Sequence, residues 1–207
     1  MQKPTLQHKH VEILSEKTVY KGHFAVTAYE LRHQQFAGDM SPVLRREIFR
    51  TRPAAGVLPY DPVRDEIVLI EQMRAGTLKG NDSPWIYEVI AGVIEDNDQS
   101  IEARIRQEAL EEANLTLGKL IPIHSYWVSP GCSAERYTLF CGEVDSSKAN
   151  GVHGNKQEGE DIKVHVFPRH DVIEALKKGI INNGSTLIAL QWLMLQRYEG
   201  DITQLFS

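Results

Sequence analysis

The chain has 207 residues, 42% hydrophobic and 25% charged, a globular composition that argues against extensive disorder and suits one main domain with a smaller accessory piece. Its 23 Lys and Arg against 28 Asp and Glu leave a formal charge of −5, which argues against a nucleic-acid partner, because binding a phosphate polymer needs clustered cations. No apolar run reaches the roughly 18 residues of a membrane span, and the polar stretch from Met1 to His10 is no secretory signal. Cys132 and Cys141 lack zinc-ligand spacing and read as two reduced, part-buried thiols, so we expect a cytoplasmic protein without membrane or zinc.

From Val11 to Phe49 the chain reads as short strands, with Val19, Tyr20, Phe24, Val26, Ala28 and Leu31 in partial alternation and turns at Gly22 and Gly38. Arg50–Pro53 marks a boundary, since proline and the residue before it resist regular continuation. That predicts an N-terminal antiparallel β region over 1–52 and a main domain over 53–207. Ala54–Tyr60 and Glu66–Met73 read as a hairpin about the turn Asp61-Pro62-Val63-Arg64-Asp65. Trp85–Ile94 is a further strand-like run, broken at Ala91-Gly92. The acidic, cap-rich stretch Glu95–Ser100 opens a helix from about Ser100 to Ala113, whose apolar stripe is Ile101, Ile105 and Ala109 with Leu110 beside it. Asn114 stands where a helix ends in the left-handed conformation. Strands follow at Leu120–Trp127, Tyr137–Val144 and Ile162–Phe167, then helices at Arg169–Lys178 and Ser185–Arg197. Strands and helices interleave without regular βαβ alternation, which favours an α/β class with a mixed sheet flanked by helices over a doubly wound parallel sheet. His165, between Val164 and Val166, reads as a strand residue rather than a ligand.

The segment Gln107–Leu115 carries the chemistry. On a helix Glu108, Glu111 and Glu112 fall at i, i+3 and i+4, so three carboxylates project toward one patch. Like charges so placed cost roughly 0.2–0.5 kcal/mol per pair in water, and a hard divalent cation such as Mg2+ offsets that with oxygen ligands. Alone, the segment reads as readily as a solvated acidic face. Upstream, however, Gly92 lets a ligand or metal approach the backbone, and the Ala91 carbonyl adds a candidate oxygen ligand.

Gly92, an acidic loop and a helix carrying Glu-x-x-Glu-Glu together resemble the signature of the Nudix hydrolases, which cleave nucleoside diphosphates linked to another moiety. This chain departs from the pattern in three places: Gln107 replaces the family arginine, Asn114 replaces the glycine near the helix end, and the loop is one residue longer. The family's first glutamate therefore falls on Asp98 or Gln99, and the ion pair that braces the family loop is lost or rebuilt. Further matches narrow the resemblance to ADP-ribose pyrophosphatases: Arg45-Arg46 before Glu47-Ile48-Phe49, Leu69 through Arg74, Ser129-Pro130-Gly131 with Glu135-Arg136, Gly142 through Asp145, and Gly154 through Glu158-Gly159-Glu160-Asp161-Ile162.

The resemblance implies a Nudix α/β/α sandwich and a homodimer whose N-terminal strands exchange between subunits. It implies Mg2+, with Mn2+ as a substitute and no organic cofactor, bound by the Ala91 carbonyl, Glu108, Glu112 and Glu160 with support from Glu111. Glu158 would be the base for an attacking water, beside the catalytic carboxylates Glu108 and Glu112, and the products would be AMP and ribose 5-phosphate. The positions matching substrate contacts are His23, Phe24, Arg46, Glu47, Arg74, Val93, Ser129 and Glu135. Arg46 and Arg74 suit charge-assisted bonds to diphosphate or ribose oxygens. Phe24 reads equally as an adenine-stacking or a packing residue, and His23 stands where the family more often has an aromatic ring. Two alternatives stay open: hydrolysis of another nucleotide sugar such as GDP-mannose, and a non-catalytic regulator that binds ADP-ribose, which the departures at Gln107 and Asn114 keep in view.

Overall fold

Alternating apolar residues near the start of the chain pair into a three-stranded antiparallel sheet, β1 (Val11–Lys21), β2 (Ala25–His33) and β3 (Leu44–Arg50), in the order β1-β2-β3. The structure, a computed structural model, describes residues 1–157, 159–199 and 206. It divides into two units: Met1–Arg52 with Trp127–Arg136, and Pro53–Tyr126 with Tyr137–Ser207. In the first unit the central strand β2 buries Thr27 and Ala28, whereas β1 is exposed along its whole length. The segment Trp127–Arg136 is tied to β3, where Phe49 N–H donates to the Cys132 carbonyl at 2.8 Å and the Phe49 carbonyl accepts from Ala134 N–H at 3.0 Å.

The second unit contains, except for Trp127 and Arg136 at the ends of β8 and β9, the elements β4 (Ala54–Asp61), β5 (Glu66–Met73), β6 (Trp85–Glu88), β7 (Ile90–Val93), α1 (Ile101–Ala113), β8 (Leu120–Trp127), β9 (Arg136–Glu143), β10 (Val152–His153), β11 (Ile162–Pro168), α2 (Arg169–Lys177) and α3 (Gly184–Glu199). The sheet follows the path β10-β11-β5-β4-β9-β8, with β4 and β9 parallel and β4 and β5 antiparallel. The expected hairpin is present. Asp61 Oδ1 accepts the N–H groups of Val63 and Arg64 at 2.9 Å each, and Asp65 takes φ 54° to close the turn. The hairpin arms pair at Tyr60↔Ile67 and Asp61↔Glu66, then diverge, and the gap is filled by β7 along Ala54–Val57 and by β6 along Ile70–Met73.

The strand break in this region falls at Val89, not at Ala91-Gly92, which both lie inside β7. Val89 N–H leaves the ladder for Thr186 Oγ1 at 3.0 Å, so the interruption is set by a partner on α3 that local sequence does not reveal.

Period-two alternation sends the sheet residues into two cores. Ala55, Val57, Val68, Ile70 and Ile90 pack with Ile105, Ala109 and Ala113 of α1. Leu58, Tyr60, Ile67, Leu69 and Leu139 pack with Val172 of α2 and Ala189, Leu190 and Leu193 of α3. The result is the expected helix-sheet-helix sandwich with a mixed sheet. Ser100 caps α1 by accepting Ala103 N–H at 3.0 Å, and Asn114 ends it at φ 52°, as its position implied. Ile101 and Leu110, expected in the apolar stripe, are exposed; the buried face is instead Ile105, Glu108, Ala109, Glu112 and Ala113. His165 is a satisfied strand residue, its Nε2 lying 2.7 Å from Glu71 Oε2. Both cysteines are free, but they are not alike: Cys132 is exposed and Cys141 buried. Among the described residues no helix is long and apolar enough to cross a membrane.

Candidate active site

The helical period that packs Ile105 and Ala109 on the sheet also turns Glu108 and Glu112 inward, where they are 6% and 4% exposed. Both meet β7. Glu112 Oε2 accepts Ala91 N–H at 3.2 Å. The N–H and C=O of a strand residue point to the same side, so the Ala91 carbonyl faces the side of that donor. Gly92 is required by close approach: a Cβ there would lie 1.8 Å from Glu108 Oε1 and 2.3 Å from its Cδ. Glu108 Oε1 is also held by Arg104, one turn earlier on α1, at 2.5 Å.

Burial pushes the Glu112 carboxyl up to about 8, with the charges of Glu108 and Glu160 adding to it and the Ala91 N–H and Arg74 opposing. Burial likewise raises Glu108 to about 7, opposed by Arg104 and reinforced by Glu111 and Glu160. Glu108, Glu111, Glu112 and Glu160 thus form one electrostatic cluster. Glu111 sits at its outer side, accepting from Gln107 Nε2 at 2.8 Å. Glu160 accepts Asn155 N–H at 2.9 Å through Oε2, in a loop bent by Gly154 at φ 102° and Gly159 at φ 76°. Glu158, expected as the base, lies outside the described residues. Crowded, desolvated carboxylates suit a hard divalent cation, which takes oxygen ligands and offsets both the burial and the repulsion that raise the two pKa values. Among the described residues no three acidic, histidine or cysteine side chains already form a metal-binding group, and a guanidinium holds Glu108 instead.

Arg74, just past the end of β5, donates from Nε to Glu88 Oε2 at 2.6 Å. Glu88 is buried, and its other oxygen accepts Asn183 Nδ2 at 2.8 Å. Asn183 Oδ1 in turn accepts the N–H and hydroxyl of Thr186 at 3.1 and 3.0 Å. Arg74 is therefore anchored to the start of α3, and its charge lowers the Glu112 pKa. Val93, at the end of β7, is exposed.

The other expected substrate residues lie in the first unit. His23 and Phe24 occupy the β1–β2 turn, their rings edge-on at 4.6 Å, and Phe24 packs on Phe49 at 4.8 Å while remaining exposed. Arg46 and Glu47 are exposed on β3, where Glu47 pairs with Arg45 at 2.7 Å and Arg46 donates to the Arg45 carbonyl at 2.9 Å. Ser129 Oγ lies 3.4 Å from Cys132 Sγ. Glu135 N–H donates to Ser133 Oγ at 3.1 Å, and burial raises the Glu135 carboxyl.

With this geometry in place, the comparison with known proteins decides the family, although no family model matches the chain. The ADP-ribose pyrophosphatase of Escherichia coli strain K12 is 45% identical over 185 residues, covering 89% of this chain and 88% of its own length. That of Haemophilus influenzae is 42% identical over 188 residues, covering 89% and 86%. The chain belongs to the Nudix ADP-ribose pyrophosphatase family. A GDP-mannose pyrophosphatase of Escherichia coli strain UTI89 is more distant, 35% identical over 153 residues that cover 73% of this chain and 78% of its own. A crystal structure of an ADP compounds hydrolase shares the fold at TM-score 0.72 and 20% identity, covering 97% of this chain and all of that one.

Against the family signature, the departures have local replacements. The acidic loop is closed by Asp98 Oδ2, which accepts Glu95 N–H at 2.7 Å, and Gln107 turns outward to Glu111. Three residues at the site escaped the sequence reading: Arg104, Glu88 and Asn183. Arg104 had a legible signal, its i to i+4 spacing from Glu108. Glu88 and Asn183 had none, because they are far apart in sequence and meet only through the fold.

Proposed function

We propose that the chain hydrolyses the diphosphate bond of ADP-ribose to AMP and ribose 5-phosphate with Mg2+, for which Mn2+ can substitute. The observation that carries this reading is the buried Glu108–Glu112 pair set against Ala91-Gly92, with both carboxyls raised by desolvation and crowding. Family membership, at 45% identity to a named ADP-ribose pyrophosphatase, narrows the substrate. The Ala91 carbonyl, Glu108, Glu112 and Glu160 would hold the metal, with Glu111 in support. A divalent cation bound there supplies positive charge to the phosphoryl oxygens.

The chain's own residues do the rest. Arg74, fixed by Glu88, offers its remaining guanidinium donors to diphosphate oxygens. Glu158 is assigned the proton of the attacking water on the family resemblance, and attack is placed at the adenosine-side phosphorus. Val93, in the same unit as Arg74, is proposed as a substrate contact. His23, Phe24, Arg46, Glu47, Ser129 and Glu135 are proposed substrate contacts of the first unit; the exposed Phe24 ring supports a stacking role. A homodimer through the N-terminal sheet is supported by the exposed Val11, Ile13, Leu14, Val19 and Tyr20 of β1. A cytoplasmic setting agrees with two unpaired cysteines.

The second reading, a GDP-mannose hydrolase, draws on the relative at 35% identity and on His23 at the base-stacking position. A substrate panel tests both. We expect kcat/KM at least about tenfold higher for ADP-ribose than for GDP-mannose, with AMP as product. The reverse preference assigns the second reading, and saturable binding without cleavage assigns a regulator.

A further inference from the structure

We propose that Arg104 is a tethered counter-cation that occupies Glu108 in the metal-free protein and sets the affinity of the carboxylate cluster for a divalent cation. This rests on the reading of Glu108 as a metal ligand and deepens it.

Arg104 and Glu108 are neighbours on one face of α1, and both are withdrawn from water: their side chains are 20% and 8% exposed, with NH2 and Oε1 2.5 Å apart. The oxygen that Arg104 holds is the one lodged against the backbone at Gly92. The guanidinium therefore places its positive charge beside the oxygen that a metal at Glu108 would need.

The pair is not built as a permanent brace. Arg169 shows what a brace looks like in this protein: it grips Asp65 with two donors, Nε at 2.6 Å and NH2 at 2.8 Å. Arg104 Nε, by contrast, is buried and has no hydrogen-bond partner among the described residues. A buried donor left unmatched is costly, so the contact persists because the carboxylate needs a cation, not because the fork fits. Around it Glu111 and Glu160 add negative charge, and the Glu112 carboxyl crowds the same patch. A divalent cation that reaches Glu108 must either displace the guanidinium or sit beside it, and both weaken its binding.

The experiment titrates Mn2+ into the full chain, with free Mn2+ followed by electron paramagnetic resonance, for the wild type, Arg104→Met and Arg104→Lys. Methionine keeps the aliphatic packing and removes the charge; lysine keeps the charge. We expect Arg104→Met to bind Mn2+ about tenfold more tightly, and Arg104→Lys to stay within about threefold of wild type. The melting temperature of metal-free Arg104→Met should fall below wild type, while its rise on adding Mn2+ should be larger. Unchanged or weaker Mn2+ binding in Arg104→Met overturns the proposal. Should that variant fail to fold, Arg104→Gln, which keeps hydrogen bonding without charge, gives the same readout. Wild type that binds no Mn2+ overturns the metal-ligand reading and the proposal with it. Mn2+ binding lost in Glu112→Gln but unmoved in Arg104→Met overturns the proposal alone.

Discussion

Gly92→Ala tests whether the backbone of β7 and the carboxylate of Glu108 are fitted to each other. An alanine Cβ at 92 would lie 1.8 Å from Glu108 Oε1, 2.3 Å from Cδ and 2.6 Å from Cγ. To restore the 3.4 Å of ordinary contact, Oε1 must retreat by about 1.6 Å. The strand cannot yield in its place, since Gly92 is paired with the fully buried Ala55. A misplacement on the order of 1 Å at a reacting centre costs about 100-fold, so kcat/KM for ADP-ribose should fall by about that factor. The overpacking itself should cost about 1–3 kcal/mol of stability, and the variant should still fold. The assay is steady-state AMP release with Mg2+, beside a melting curve and a Mn2+ titration. Gly76→Ala, where a Cβ meets nothing within 4 Å, is the control and should behave as wild type. Gly92→Ala with kcat/KM within about threefold of wild type and unchanged Mn2+ binding would refute the assignment of Glu108 to the working site.

Further outcomes follow from the same geometry. With Glu108 raised to about 7 and Glu112 to about 8, the folded protein keeps protons that the unfolded chain releases near its ordinary value of 4.5. Their contribution to the stability of the metal-free protein is thus fullest below that value and declines as pH rises through 7 and 8; melting curves from pH 5.5 to 8.5 should show the decline, and Glu108→Gln with Glu112→Gln should flatten it. Asp61 behaves in the opposite sense: burial would raise it, but the N–H groups of Arg64 and Ser146, the Ser146 hydroxyl and the Arg64 guanidinium hold it at about 2. Its contribution of about 2 kcal/mol is present above pH 4 and lost as pH falls toward 2, so Asp61→Asn should lower the melting temperature at pH 7 and do so less at pH 2.5. Arg74→Ala strips the cation from buried Glu88 and from the field of Glu112, and should lower kcat/KM by about 100-fold with only a modest fall in melting temperature, because Arg74 is itself half-exposed. Glu88→Gln, which keeps a hydrogen-bonding oxygen, should raise KM more than it lowers kcat.

Local signals in the sequence carried well where the physics is local. The hairpin turn at Asp61–Asp65, the Ser100 cap and the left-handed Asn114 depend on a few neighbouring residues, and each is in place. The mixed sheet flanked by helices followed from the order of strands and helices, and the α/β/α sandwich from the family resemblance. Signals failed where distant partners decide. Ile101 and Leu110 look like core residues by hydropathy, but the face of α1 that meets the sheet carries two glutamates, and the apolar pair is left outside. The break at Val89 depends on a hydroxyl on α3, and the tie of Trp127–Arg136 to Phe49 depends on backbone pairing across a long stretch of chain. In the candidate site, Glu108, Glu111, Glu112 and Ala91 were legible from spacing and from the glycine beside them. The supports were not: Glu88 and Asn183 reach Arg74 through hydrogen bonds that no motif announces.

If the α1 carboxylates make this chain a metal-dependent ADP-ribose hydrolase, cleavage needs both a divalent cation and Glu112. The most direct measurement is product analysis after incubating the purified protein with ADP-ribose, with Mg2+ and with chelator, beside Glu112→Gln. AMP and ribose 5-phosphate are expected in equal amounts from the wild type with Mg2+, and intact ADP-ribose with chelator or in the variant. Equal cleavage by a folded Glu112→Gln, or ADP-ribose bound and left intact by the wild type with Mg2+, would contradict it.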